Sequence, residues 1–148
     1  MKPMKPIYKK INDALYNTYY GINRIEEEEL KKSRFHDLTV KELHAIDAIT
    51  MHDHLTVSQV AKKLHLSRAT ITSTVDRLVK KGYAERVRDE ADRRVVHIEL
   101  TKKGRLCFRA YHAYHNMMVR SFLQNLDETE IETIYHAFTN LEKFVNSH

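Results

Sequence analysis

Two prolines and three glycines are the only strong backbone punctuation in these 148 residues, and both prolines precede residue 7. A chain so short of helix breakers is expected to run in long helices over most of its length. The exception is 67–105, where Gly82 separates a capped helical pattern from two β-patterned runs around a charged tip. The fold class expected is mainly α with a small β-wing: six helices plus a two-stranded hairpin, in one unit over 1–148 long enough to bury a core.

Hydrophobic spacing sets out the helices. Ile7, Ile11, Leu15, Tyr19, Ile22 and Ile25 recur every three or four residues, so 7–32 reads as one amphipathic helix. Glu27 and Glu28 each stand four residues before a lysine, Lys31 and Lys32, and the acidic run 26–29 reads as a solvated helix face. Thr39 is expected to cap a helix reaching about Met51, with Leu43, Ile46, Ala48 and Ile49 inward. Thr56-Val-Ser-Gln59 has the capping-box form and opens a short helix with Val60, Ala61 and Leu64 inward. His65 and Leu66 make a turn. Ser67 caps the next helix, whose apolar stripe is Ile71, Val75, Leu78 and Val79, and Gly82 stops it. Ala84–Arg88 and Val95–Leu100 form the hairpin. Thr101 opens a helix to about Asn125, and Asp127 caps a last one to about Asn146.

Two short helices joined by a tight turn, with a third before them, make a helix-turn-helix. The second exposes Arg68, Thr70, Thr72, Ser73 and Arg77 opposite its stripe, hydroxyls and guanidiniums of the kind that reach base edges and phosphates in a major groove. Thr74 adds a fourth hydroxyl in a row of mediocre helix formers. The wing tip carries Asp92, Arg93 and Arg94. An arginine there can enter an adjacent minor groove, whose negative potential attracts it, with Asp92 holding one guanidinium in place. The bland alternative is a surface ion pair worth little. Charge supports the DNA reading: residues 67–105 hold 11 Lys/Arg against 6 Asp/Glu, and the whole chain is also +5, so the remainder sums to zero. A localised basic surface suits a polyanion, whose counterions it releases. The amphipathic helices over 7–32 and 101–146 exceed what the 33–100 reading head needs and suit dimerisation. A two-fold dimer would read a palindromic operator in double-stranded DNA.

This order of elements, together with LSRATITSTVDRLVKKGYAERVRDEADRRVVHIELTKKG over 66–104, resembles the MarR family of winged-helix repressors. That family's wing pattern, Asp-x-Arg before a β-run ending in Leu-Thr, falls on Asp92, Arg94 and Leu100-Thr101. The resemblance implies that Arg94 is the minor-groove arginine and Asp92 its partner, and that Ser67, Arg68, Thr70, Thr72, Ser73 and Arg77 face the major groove. Within the family, SRFHDLTVKELHAIDAI (33–49) and RRVVHIELTKKGRL (93–106), followed by His115 and Met118, are similar to the fatty-acid-biosynthesis repressors of lactic-acid bacteria and streptococci. That branch implies control of type II fatty-acid synthesis genes, with long-chain acyl-acyl carrier protein as co-repressor and no tightly bound cofactor. An acyl chain needs a dry slot between helices, which Ile22, Ile25, Phe35, Leu43, Ile46, Phe108 and Met118 could line; each is also an ordinary core residue.

Three rival readings stand beside this one. Ten histidines suggest a zinc-responsive repressor on the same fold, with His112 and His115 one helical turn apart, His44, and a glutamate from 26–29. Against it, the histidines are scattered. Oxidant sensing would fall to Cys107, which reads better as a buried inert thiol. A winged helix can also dock proteins without touching DNA. An enzyme is not expected, since no phosphate-cradling loop, nucleophile elbow or Ser/His/Asp grouping occurs. A lone cysteine, the lack of a long apolar run and an N-terminus without a signal-peptide h-region point to the cytoplasm and away from membranes.

Overall fold

The computed structural model describes residues 2–148. Its order is α1 (Pro6–Lys32), α2 (Val40–Ile49), α3 (Val57–Leu64), α4 (Arg68–Lys80), β1 (Ala84–Arg88), β2 (Val96–Leu100), α5 (Lys102–Phe122) and α6 (Glu128–Asn146). This is the mainly helical, winged architecture that the patterning predicts. Two helices stop early. The α2 helix ends at Ile49 rather than near Met51 because Thr50 turns to φ 65°, and α5 ends at Phe122, with Asn125 at φ 63° in the link to α6.

Caps explain the starts. Thr39, Thr56 and Asp127 each form a complete capping box, with Glu42, Gln59 and Glu130 reaching back to the cap's own N–H. Ser67 caps α4 through the Thr70 N–H. The turn between α3 and α4 closes with His65 left-handed at φ 55° and Leu66 N–H donating to the Ala61 carbonyl at 3.0 Å. The end of α4 repeats that arrangement with Gly82 at φ 85°: Gly82 N–H donates to Val79 O and Tyr83 N–H to Leu78 O.

The chain divides into two compact units, Met1–Arg109 and Ala110–His148. The core of the first contains Ile46, Ile49, Val60, Ile71, Val75, Leu78, Tyr83 and Ile98, each at most 1% exposed. The hairpin is antiparallel, pairing Ala84 with Leu100 through Arg88 with Val96. A third piece of sheet joins it: Ile98 N–H donates to Leu55 O at 2.7 Å, and Thr56 bridges His97. Patterning had shown only two strands, because a one-residue bridge has no period. The first turn of α5 lies against Tyr83, just before β1, and Leu100 of β2, where a Cβ on Gly104 would stand 2.1 Å from the Tyr83 carbonyl oxygen.

Most of the apolar stripe of α1 is exposed, with Ile22 half-buried. Ile11 and Tyr19 are each 60% exposed, and only Glu26 and Leu30 are buried. In the second unit, α6 buries no residue. The expectation that 26–29 is a solvated face is corrected at Glu26, which lies against α2 with its Oε2 2.9 Å from His44 Nε2. No helix is long and apolar enough to cross a membrane among the described residues.

Candidate nucleic-acid interface

The outer face of α4 follows from its inner one. Ile71, Val75 and Leu78 go into the core, which turns Ser67, Arg68, Thr70, Thr72, Ser73 and Arg77 outward, all exposed. Thr74 departs from the expected hydroxyl row: it is buried, and its Oγ1 donates to the Thr70 carbonyl at 3.0 Å. The hydroxyls of Ser67 and Thr70 pair with one another at 2.8 Å, which fixes the first turn of the helix.

Arg77 is held on three sides. Its Nε donates to Glu42 Oε2 at 3.1 Å, Nη1 to Ser73 Oγ at 2.9 Å and Nη2 to Thr74 Oγ1 at 3.2 Å. Glu42 is fully buried and anchors two elements at once. Its Oε1 accepts the Thr39 N–H at 2.9 Å and Lys81 Nζ at 2.7 Å. Burial pushes this carboxyl up, but Lys81, the Thr39 N–H and Arg77 together outweigh it and hold the group below its ordinary value. Beside it, Tyr83 donates its hydroxyl to Asp37 Oδ1 at 2.6 Å, Lys81 Nζ donates to the Asp37 carbonyl at 2.6 Å, and Lys103 lies 4.4 Å from the Tyr83 ring centroid. Burial, then the Asp37 bond, pushes the Tyr83 phenol up. The backing of α4 is therefore a polar network that patterning missed. Thr39-x-x-Glu42 was its visible signal, since it has the same capping form as Thr56-x-x-Gln59.

The wing tip has the expected geometry. Asp92 Oδ1 accepts the Arg94 N–H and Nε, both at 3.1 Å, and Oδ2 accepts Nη2 at 3.2 Å. The Arg94 side chain is 91% exposed, so Asp92 holds it out from the protein. Arg93 is exposed, and its carbonyl accepts Arg88 Nη1 at 2.8 Å. At the base of the hairpin Arg86 pairs with Asp76 of α4, joining wing to helix. An exposed helix face rich in hydroxyls and arginine, with an arginine-tipped hairpin tied to it, is suited to one groove and its neighbour.

The MarR family model matches residues 36–95, from the link before α2 to the tip of the wing. The crystal structure of Streptococcus pneumoniae FabT in complex with DNA superposes with a TM-score of 0.86 at 42% identity, covering 95% of this chain and 98% of that one. The chain belongs to the MarR family. A curated relative, the HTH-type transcriptional repressor MdtR of Bacillus subtilis, is 25% identical over 93% of this chain and 89% of its own. The Staphylococcus aureus MepR–DNA complex matches at 23% identity and TM-score 0.71, over 90% of this chain and 93% of that one, and bears on the fold alone. The chain is accordingly a winged helix-turn-helix transcriptional regulator of this family, whose relatives are regulators of transcription.

The other sites expected of a MarR protein fare differently. Of the apolar slot residues, Phe35, Leu43 and Ile46 lie in the packed core of the first unit, Ile22 and Phe108 are half-buried, and Ile25 is on the exposed side of α1. Met118 is a half-buried residue of the second unit. A cleft of about 500 Å³ on the first unit is lined by Asn23, Arg24, Glu27, Thr39, Val40 and Lys41, none of them from that set. His44 is engaged with Glu26, and no group of three or more His, Cys, Asp or Glu is placed to hold a metal among the described residues, His112 and His115 included. Cys107 is 1% exposed, and burial pushes its thiol up to about 11, so a thiolate is strongly disfavoured.

Proposed function

We propose that this chain represses type II fatty-acid synthesis genes by binding a palindromic operator as a homodimer, with long-chain acyl-acyl carrier protein as co-repressor. The observation that carries the reading is the likeness to FabT over nearly the whole length at 42% identity, in a structure that holds DNA. The sequence resemblance over 33–49, outside α4 and the wing, supports the same reading.

In this mechanism Ser67, Arg68, Thr70, Thr72, Ser73 and Arg77 face the major groove, and Arg93 and Arg94 reach the flanking minor groove. The uncovered apolar sides of α1 and of the terminal helices join two copies, which sets two recognition helices about one DNA turn apart. A ligand shifts affinity only by binding one spacing of those helices better than another. For a co-repressor the preferred spacing is the one that fits the operator. Leu43 and Ile46 are packed in the core, so an acyl tail contacting them enters by parting the helices rather than by filling an open slot.

The test is fluorescence anisotropy of a labelled fatty-acid synthesis promoter fragment, with a metal chelator present, titrated with the protein alone, with acylated carrier and with unacylated carrier. Tightening by the acylated carrier only is the expected result. No response to it overturns the co-repressor reading. A response that appears only when zinc replaces the chelator moves the function to metal sensing. Absence of any salt-dependent affinity overturns DNA binding itself.

A further inference from the structure

The wing arginine does not stand on Asp92 alone. Asp89, the first residue after β1, organises the tip: its Oδ2 accepts the N–H of Ala91 at 3.0 Å and of Asp92 at 2.8 Å. Its own N–H donates to Val95 O at 2.9 Å and closes the hairpin end. The other carboxylate oxygen, Oδ1, lies 2.9 Å from His97 Nε2. His97 sits where β2 meets the Leu55–Thr56 bridge, the point at which the wing is fastened to the rest of the reading head. Contacts therefore run without a gap from the body through His97, Asp89 and Asp92 to the Arg94 guanidinium.

We infer that Asp89 and His97 are positioning residues for Arg94: they fold the tip turn that presents Asp92, and so keep the guanidinium extended before DNA arrives. The inference rests on the wing reading above. Its physical basis is preorganisation. A long, almost fully exposed side chain loses rotamer freedom on entering a groove, and ordering it beforehand reduces that loss.

The link from His97 to Asp89 also responds to pH. The Asp89 hydrogen bond holds the imidazole above its ordinary range, against the opposing effect of burial. The groups facing it are Asp89 from the tip, Glu99 from β2, and His54, whose ring is 6.3 Å away and which is itself paired with Glu99. Because the value in the fold is raised, the imidazolium–Asp89 pair is complete below the ordinary imidazole range, as long as Asp89 stays ionised, and loses its charge as pH rises through the raised value. Affinity for DNA falls in the same direction.

Operator binding by the full-length protein tests this, using the same promoter fragment, with Asp89→Ala, His97→Ala, His97→Gln, Arg94→Ala and the pair Asp89→Ala/Arg94→Ala. Asp89→Ala and His97→Ala should each bind about fivefold more weakly, the size of one net hydrogen bond. Glutamine supplies an N–H near the place of Nε2 without titrating, so His97→Gln should recover most of the affinity and lose the part of the pH dependence that His97 confers. The double variant should be no weaker than Arg94→Ala alone, and thermal melting of each should show an intact fold. Full affinity in Asp89→Ala, or additive losses in the double variant, overturns the inference while leaving the wing intact. An Arg94→Ala protein that binds normally overturns the wing reading beneath it.

Discussion

Replacing Glu42 with alanine should destabilise the protein by about 2–3 kcal/mol, and the structure shows where that comes from. The carboxylate is fully buried and has three partners: the Thr39 N–H at 2.9 Å, Lys81 at 2.7 Å and Arg77 at 3.1 Å. Loss of half of a capping box costs about 1 kcal/mol. A hydrogen bond to a charged group is worth about 1.5–3 kcal/mol. Arg77 and Lys81, with side chains 50% and 29% exposed, can turn to water, so the two ion pairs together are discounted to about 1–2 kcal/mol. For a chain of this size that is a fall in Tm of about 4–12 °C. Glu42→Gln keeps an oxygen for the Thr39 N–H and should lose only about 1 kcal/mol. The pH dependence separates charge from shape. The carboxyl titrates below its ordinary 4.5 in the fold, so its stabilisation is complete above 4.5 and is lost as pH falls through the folded value. Urea denaturation of wild type and Glu42→Gln should therefore show a gap at neutral pH that closes in strong acid. An alanine variant that unfolds with wild type, or a glutamine gap that persists unchanged into acid, would refute the assignment of Glu42 as a buried charged anchor.

Other perturbations test the surroundings of the same face. Gly104→Ala puts a Cβ 2.1 Å from the Tyr83 carbonyl oxygen, a backbone atom with little room to retreat. Overpacking of that kind costs about 1–3 kcal/mol or more, to be read as a lowered denaturation midpoint. Tyr83→Phe removes the donor to Asp37, which is 40% exposed and can take water instead, so the cost should be near 1 kcal/mol in the same assay. Tyr83 of wild type should ionise above the ordinary phenol range in a spectrophotometric titration, because burial and Asp37 both raise it. Cys107 should react with a thiol alkylating agent only at the rate of unfolding, measured by mass spectrometry under native and denaturing conditions; fast labelling of the native protein would contradict its burial. Arg94→Ala should weaken operator binding by about 1–3 kcal/mol in the anisotropy assay and leave the dimer intact by sedimentation.

Local rules made the architecture legible. Thr56-x-x-Gln59, Ser67 and Gly82 each act through neighbours within a few residues, and helix and strand bounds near them fall close to expectation. The outward set on α4 was equally legible, because a helix that buries Ile71, Val75 and Leu78 has only one face left. Thr74 shows the limit: its place at the edge of that stripe does not reveal whether its hydroxyl turns to solvent or back to the Thr70 carbonyl, and the structure has it turned back. Glu26 was misread for a related reason. An acidic run looks solvated until a second helix crosses it, and the contact with His44 is 18 residues away in sequence.

What patterning could not reach is the set of charged groups behind the reading face. Asp37, Glu42, Arg77, Lys81 and Lys103 are surface residues by composition, yet each has a partner at least 35 residues distant. Their consequence is mechanical. Glu42 is the N3 residue of α2, and the groups it holds are on α4 and at its C-cap. Sliding α2 against α4 would break the Arg77 and Lys81 bonds while leaving the carboxylate buried, which is costly. Rotating the two as one body breaks neither. A rigid movement of the start of α2 would therefore carry α4 with it. In such a movement Ser67, Thr70, Ser73 and Arg77 would keep the mutual geometry that their hydrogen bonds and Glu42 impose.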